Sequence, residues 1–215
     1  MSSRMMSTMG PTMNPKMSGS AFKHLVAATA HFHRLVRAQL VTGSGLAHAQ
    51  TQILGAARLA GLLMFRSFRI DTGALAPGMQ VPSAEAEIHG ARLREVLLAT
   101  LQQLGHALHI DDVDPRCKTA ALSRLAFIEV HERLTLPVLA YLAHSPMGIR
   151  DAAVAAASAT AGLIHDHVPA MPAHQAAALA LHGFEEGLTT VPWPLDATCA
   201  AAFGEPPRPY ISTMS

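Results

Sequence analysis

Histidine is the residue type in this chain best suited to chemistry. Thirteen occur in 215 residues. An imidazole can ligate a metal, relay a proton, or gain charge on mild acidification, so solubility and partner affinity are expected to depend on pH. Spacing decides which of them could act together. His106 and His109 stand three apart and are expected to share one face of a helix, as are Glu85 and His89 at four apart. His182 has Glu185 and Glu186 three and four residues on, whereas His31 and His33 are two apart and point to different sides. There is no His-Glu-x-x-His, the spacing that presents two zinc ligands from one helix. The Glu-x-x-His pair of carboxylate-bridged di-iron bundles also fails. Glu85, Glu129, Glu132 and Glu185 are followed at the third position by Ile88, Glu132, Thr135 and Leu188.

The stretch from His131 to His167 carries the most suggestive grouping. A histidine on one predicted helix is followed by Ala161-Gly162-Leu163-Ile164-His165-Asp166 at the end of the next. This arrangement resembles the core of the HD superfamily of metal-dependent phosphohydrolases. The resemblance implies an all-helical fold in which His131, His165 and Asp166 hold a divalent metal. Asp196 is the late aspartate it would use, and the metal would activate water for attack on phosphorus. The chain departs from the family where His167-Val168-Pro169 replaces the usual Ile-Gly continuation, and Asp196 lies in a proline-rich tail. The competing reading is local: His165, Asp166 and His167 terminate a helix, with imidazoles near its negative end.

Other chemistries leave weaker traces. There is no Gly-x-Ser-x-Gly elbow, Walker loop or Gly-x-Gly-x-x-Gly fingerprint. Cys117 is expected in a helical first turn between Arg116 and Lys118, where a thiol pKa falls, but no histidine can be assigned to it. Cys117 and Cys199 are the only cysteines and form no metal or disulfide framework. Met64 and the scattered histidines permit a haem or an apolar ligand inside a bundle, though no spacing demands one. No cofactor is expected, except a divalent metal under the phosphohydrolase reading.

These residues need a scaffold, and its composition is unusual. Hydrophobic residues make up 50% of the chain and charged residues only 14%, well below the usual quarter. So little charge leaves much apolar surface facing outward, which favours a protein partner or a homo-oligomer. Net charge is +1 without any basic stripe, which argues against nucleic acid. The longest apolar stretch, 152–164, is too short to span a bilayer, and the first residues lack the apolar core of a signal peptide. A cytoplasmic location is the expectation.

Helical periodicity places the scaffold elements. Segments 21–41 and 46–68 come first, separated by Thr42-Gly43-Ser44-Gly45. Gly55 and Gly61 inside the second imply close helix–helix approach. After a loop over 70–82, Ser83 is a predicted N-cap for a third helix with Leu93, Leu97, Leu101, Leu104 and Leu108 on one stripe. Asp114-Pro115 starts a fourth that runs to about Leu142 with a kink at Pro137, and its apolar flanks mark it as the central buried helix. Ser145-Pro146 opens a fifth that ends near His167, and a sixth runs from Pro172 to about Glu186. Trp193 is expected to pin the following tail to the body.

The expected fold is therefore all-α, a compact bundle of about six helices. Residues 1–20 form a disordered lead-in, 21–188 a single helical domain, and 189–215 a proline-rich tail. The leading functional expectation is a non-enzymatic accessory or regulatory protein acting through protein–protein contacts or self-association. The alternative is the HD-type phosphohydrolase built on His131, His165 and Asp166.

Overall fold

The computed structural model describes residues 19–41, 48–68, 70, 72, 74–113 and 125–195. Over these the chain is an all-α bundle of six helical rods. In order they are α1 (Gly19–Gln39), α2 (Ala49–Arg66), α3 (Ala84–Gln103), a rod made of α4 (Phe127–Val130) and α5 (Leu136–Ala143), α6 (Ile149–His167) and α7 (Ala173–Thr189). No strand occurs among the described residues; Gln80 and Thr190 make a single isolated antiparallel bridge. The lead-in 1–18, the break at 42–47, the Asp114-Pro115 start, Cys117, Asp196 and Cys199 lie outside the described residues.

The central helix is α2, not the 127–143 rod that apolar content singles out. All but three residues of α2 are buried, and α7, α6 and α3 pack round it. Its sequence explains the position. Ala49, Ala56, Ala57, Ala60, Gly55 and Gly61 are small enough for neighbours to reach its backbone from several sides, and Arg58 and Arg66 are its only charges. At Gly61 a methyl group would stand 2.6 Å from the Phe184 carbonyl oxygen and 2.7 Å from the Gly187 Cα, so backbone meets backbone at this crossing. Gly55 instead makes room for a side chain, since a Cβ there would lie 2.5 Å from Leu40 Cδ1. The 127–143 rod lies at the periphery, with Glu132, Arg133, Leu136 and Ala140 exposed.

Pro137 shapes that rod. It has no N–H to return to the preceding turn, and residues His131–Thr135 form a π-helical turn just before it. Leu136 N–H bonds the His131 carbonyl, so helix α5 continues from α4 with one wide turn between them. The predicted kink is thus a π turn, and its first residue is His131.

Two helix ends differ from their sequence-based boundaries. Helix α3 starts where expected, with Ser83 Oγ accepting the Ala86 N–H at 3.1 Å. It stops at Gln103 because Gly105 takes a φ of +90° that reverses the chain. His106 N–H then bonds the Leu101 carbonyl and Gly105 N–H that of Gln102, closing the end of the helix. His106 and His109 therefore do not share a helix face. Helix α6 begins at Ile149 rather than at Ser145-Pro146, where the Ser145 hydroxyl accepts the Met147 N–H within a turn.

After α7 the chain crosses back over the bundle. Val81 N–H bonds the Thr189 carbonyl, while Val191 N–H bonds that of Met79 and Gly78 N–H that of Val191. Trp193 follows, packed near Gly78 and stacked with Phe127 at 6.3 Å, and its carbonyl accepts from Arg66 Nη2. The tail is pinned through Trp193 as far as Leu195, which is buried.

Candidate functional site

The last turn of α6 is the polar stretch that the sequence singles out. It carries His165, Asp166 and His167 in succession, and each takes a partner on a different element. Helical spacing of 100° per residue turns three consecutive side chains to three directions, which makes this division unavoidable.

Asp166 faces α1. Its Oδ2 accepts from His33 Nε2 at 3.0 Å and from Arg37 Nη1 at 3.1 Å, one helical turn apart. A carboxylate at a helix C-terminus opposes the helix dipole, and these two cationic or donor groups offset that opposition. Gly162, one turn earlier, provides the room for His33: a Cβ there would lie 3.1 Å from its ring.

His167 faces inward. Its Nε2 lies 2.8 Å from Gln52 Oε1, and Gln52 Nε2 donates to the Leu40 carbonyl at 3.2 Å. Gln52 is only 1% exposed. With the amide oxygen as acceptor, His167 Nε2 must carry the proton, which sets the tautomer of the neutral ring. Burial holds the His167 pKa below the usual histidine value, against the opposing pull of Asp166. The side-chain chain His167–Gln52–Leu40 ties the ends of α6, α2 and α1 together.

His165 faces outward to the segment beyond α3. His106 Nε2 and His165 Nδ1 are 2.9 Å apart, with the rings tilted by 56°. The turn at Gly105 is what brings His106 here.

His131 sits elsewhere. It is 5% exposed, with Trp193 tilted against it at 5.9 Å. Its Nδ1 is buried with no hydrogen-bond partner. Burial and the nearby Arg66 guanidinium push its pKa down to about 4, so the ring is neutral at neutral pH. The three residues of the phosphohydrolase resemblance thus engage three separate sets of neighbours: Trp193 for His131, His106 for His165, and His33 with Arg37 for Asp166. Among the described residues no group of three histidine, cysteine, aspartate or glutamate side chains is placed to hold a metal ion. Met64, in the last turn of α2, is fully buried in the core, with the Ser67 hydroxyl 3.6 Å from its sulfur.

The other histidine contacts lie away from this cluster. His31 stacks on Tyr141 at 4.3 Å, and His89 stacks on Phe68 at 5.3 Å. Burial lowers the pKa of both. His182 Nε2 lies 3.7 Å from Glu186 Oε2. Glu186 is held more closely by Arg58, with Nε at 2.8 Å and Nη2 at 3.2 Å. The same guanidinium donates to the Leu125 carbonyl and lies over the Phe127 ring. Beside this pair, a cleft of about 640 Å³ runs between α3 and α7, with Glu87 and Arg94 on one wall and His182 and Glu185 on the other.

Sequence reasoning missed His33, Arg37, Gln52 and His106 as members of the α6 cluster. Their partners lie far away in the chain, and only Gly105, as a helix stop, carried a local signal. Comparison with protein-family models, with curated proteins and with solved structures returns no match. Among the described residues no helix is long and apolar enough to cross a membrane.

Proposed function

We propose that this chain is a non-enzymatic helical module that works by self-association through the projecting end of α1. The observation that carries this reading is the exposure of the first two turns of that helix. From Gly19 to Ala27 every residue is exposed except half-buried Leu25, and burial begins only at Ala28. On that projecting stretch Phe22 is 58% exposed and Val26 51%. They stand four residues apart on one flank, so they form a continuous apolar strip that water solvates poorly.

A second copy suits the strip. An antiparallel pairing about a two-fold axis near His24 sets Phe22 of one chain against Val26 of the other, and the reverse, in a self-complementary contact. The stretch carries no acidic residue and Lys23 is its single fixed charge, so apolar burial would dominate the contact. The low overall charge of the chain is in keeping with an oligomer.

Light scattering across a concentration series tests this. The wild-type chain is expected to approach twice its monomer mass, and the Phe22→Asp/Val26→Asp double variant to stay monomeric with unchanged helicity. A wild-type chain that remains monomeric at every concentration removes the proposal.

A further inference from the structure

We propose that residues 190–195 form an acid-released strap: when His131 takes up a proton, Trp193 leaves its seat while the helical bundle stays folded. The inference is independent of self-association through α1.

The seat is the first support. Trp193 lies 5.9 Å from His131 and 6.3 Å from Phe127 between ring centroids, and its carbonyl accepts from Arg66 Nη2 at 2.6 Å. His131 is 5% exposed, and its Nδ1 is enclosed without a hydrogen-bond partner. A neutral imidazole meets only a modest penalty there. An imidazolium adds a charge, and both of its nitrogens become donors, so Nδ1–H would have nothing to receive it. His165 and Asp166 are engaged by other residues, so proton uptake at His131 is decided by its own neighbours.

Charge is the second support. The charged group that bears on the ring is Arg66 of α2, the guanidinium that also holds the Trp193 carbonyl. Arg58, the other charge of α2, is turned to Glu186, the Leu125 carbonyl and the Phe127 ring. On the rod of His131 itself, Glu129 bonds the Ala126 N–H and Arg133, and Glu132 is exposed. Helix α1 also touches the π turn and brings His31, stacked on Tyr141, with exposed Arg34 beside it. The strap carries no ionisable side chain. A proton on His131 therefore sets a second cation beside Arg66, and departure of the strap lets water reach the ring.

The attachment of the strap is the third support. Val191 N–H bonds the Met79 carbonyl and Gly78 N–H that of Val191, but Pro192 and Pro194 have no N–H to give. Val191 and Leu195 are buried, whereas Trp193 is only half-buried. These ties hold the strap to the 78–81 loop and Arg66, apart from the packing of α2 against α6 and α7 that makes the bundle.

Linkage sets the size of the effect. Released, the ring stands in water and binds a proton at about 6.5; seated, burial first and Arg66 second hold its pKa at about 4. The released state thus binds the proton that the seated state refuses. The equilibrium for release should rise about tenfold from pH 7.5 to 5.5, and about 150-fold from pH 7.5 to 4.

Trp193 is the only tryptophan in the chain, so its fluorescence reports on the strap. The test lowers the pH of the full chain from 7.5 to 4. The emission maximum should move to longer wavelength and acrylamide quenching should rise, while circular dichroism shows constant helicity. Both changes should reverse on neutralisation. His131→Leu should match the wild-type emission at pH 7.5 and show neither change. His89→Gln, which removes another ring with a lowered pKa, should behave as wild type. Emission and quenching that stay constant to pH 4 overturn the proposal, as does a shift that His131→Leu retains or one that comes only with loss of helicity. Should His131→Leu fail to fold, amide exchange of the wild type decides. Protection of Gly78 and Val191, corrected for the intrinsic rate, should fall about tenfold relative to the α2 amides between pH 7.5 and 5.5. An unchanged ratio overturns the proposal.

Discussion

Gly61 of α2 and Gly187 of α7 approach so closely that a methyl group on Gly187 would stand 2.8 Å from the Gly61 Cα and 2.5 Å from the Arg58 carbonyl oxygen. These are backbone atoms of two packed helices, and neither can swing aside as a side chain could. A Cβ on Gly183, one turn earlier on α7, would lie 2.7 Å from the Ala57 Cβ and 3.1 Å from the Leu54 carbonyl oxygen. Glycine lowers helix propensity by about 1 kcal/mol at each position, so the contact must return more than that.

Gly187→Ala is therefore expected to destabilise the protein despite its better helix propensity. Forced separation of two packed helices costs about 1–3 kcal/mol or more. For a chain of this size that lowers the thermal midpoint by roughly 2–4 °C per kcal/mol. Gly148→Ala serves as the control, because a Cβ there meets nothing nearer than Asp151 Oδ2 at 4.0 Å. Calorimetry of both variants checks this, and a Gly187→Ala midpoint at or above wild type would refute the backbone contact.

The Arg58–Glu186 pair seals the same crossing from its edge. Two N–H groups of one guanidinium grip both carboxylate oxygens, a third reaches the Leu125 carbonyl, and little of either side chain is exposed. Arg58→Met removes the guanidinium donors from a largely buried carboxylate and from the Leu125 carbonyl. The expected loss is about 2–3 kcal/mol, above that of an exposed pair and below that of a fully buried one. Arg58→Lys keeps the charge but not the fork, and should recover only part of it. A double-mutant cycle with Glu186→Gln, followed by urea unfolding, should give a coupling of about 1–2 kcal/mol. Additive effects would mean the two side chains do not act as a pair.

Much of the fold was legible because helices announce themselves by period and punctuation. Ser83 capped as expected, and Gly61 inside an apolar helix signalled a close approach. Gly187 did not, because a glycine ahead of Pro192 and Pro194 reads equally well as a helix stop. The central helix was misjudged for a related reason. Large aliphatic side chains over 127–143 outrank the alanines and glycines of α2 on hydrophobicity, yet small residues are the ones that let neighbours surround a helix. The Leu stripe also drew the third helix past Gly105, because Leu104 and Leu108 stay half-buried in its continuation. The site was the least legible part. Asp166 is separated from Arg37 by 129 residues and His106 from His165 by 59, so no local spacing could pair them.

The Asp166 pairings should be modest and sensitive to salt. Both α1 partners are partly exposed, so water and ions screen them. Asp166→Asn removes the carboxylate charge from the C-terminal end of α6 as well as the two contacts, and the two effects oppose each other. A loss well under about 1 kcal/mol is expected at low ionic strength. It should shrink, or change sign, in molar salt. Chemical denaturation at two urea-compatible salt concentrations measures it, and a large, salt-independent loss would show that Asp166 does something other than pair with His33 and Arg37.

His131 sets a pH dependence whose sign follows from its burial. The unfolded chain binds a proton at the ordinary histidine pKa of about 6.5. In the folded state, burial first and Arg66 second hold that pKa down at about 4. Between these values the unfolded state carries a proton that the folded state refuses, so stability rises with pH across this window and is lost as pH falls through it. One group with this shift accounts for at most about 3 kcal/mol. His31, His89 and His167 are also shifted downward, so they tilt the profile in the same direction. His131→Leu keeps an apolar body against Trp193 and deletes the titrating ring, so its thermal midpoint should fall less steeply than that of wild type between pH 6.5 and 4. The comparison is between slopes, so it survives any uniform loss from repacking. Parallel profiles for the two proteins would mean that His131 does not govern acid stability and that its ring is more accessible to protons than its surroundings imply.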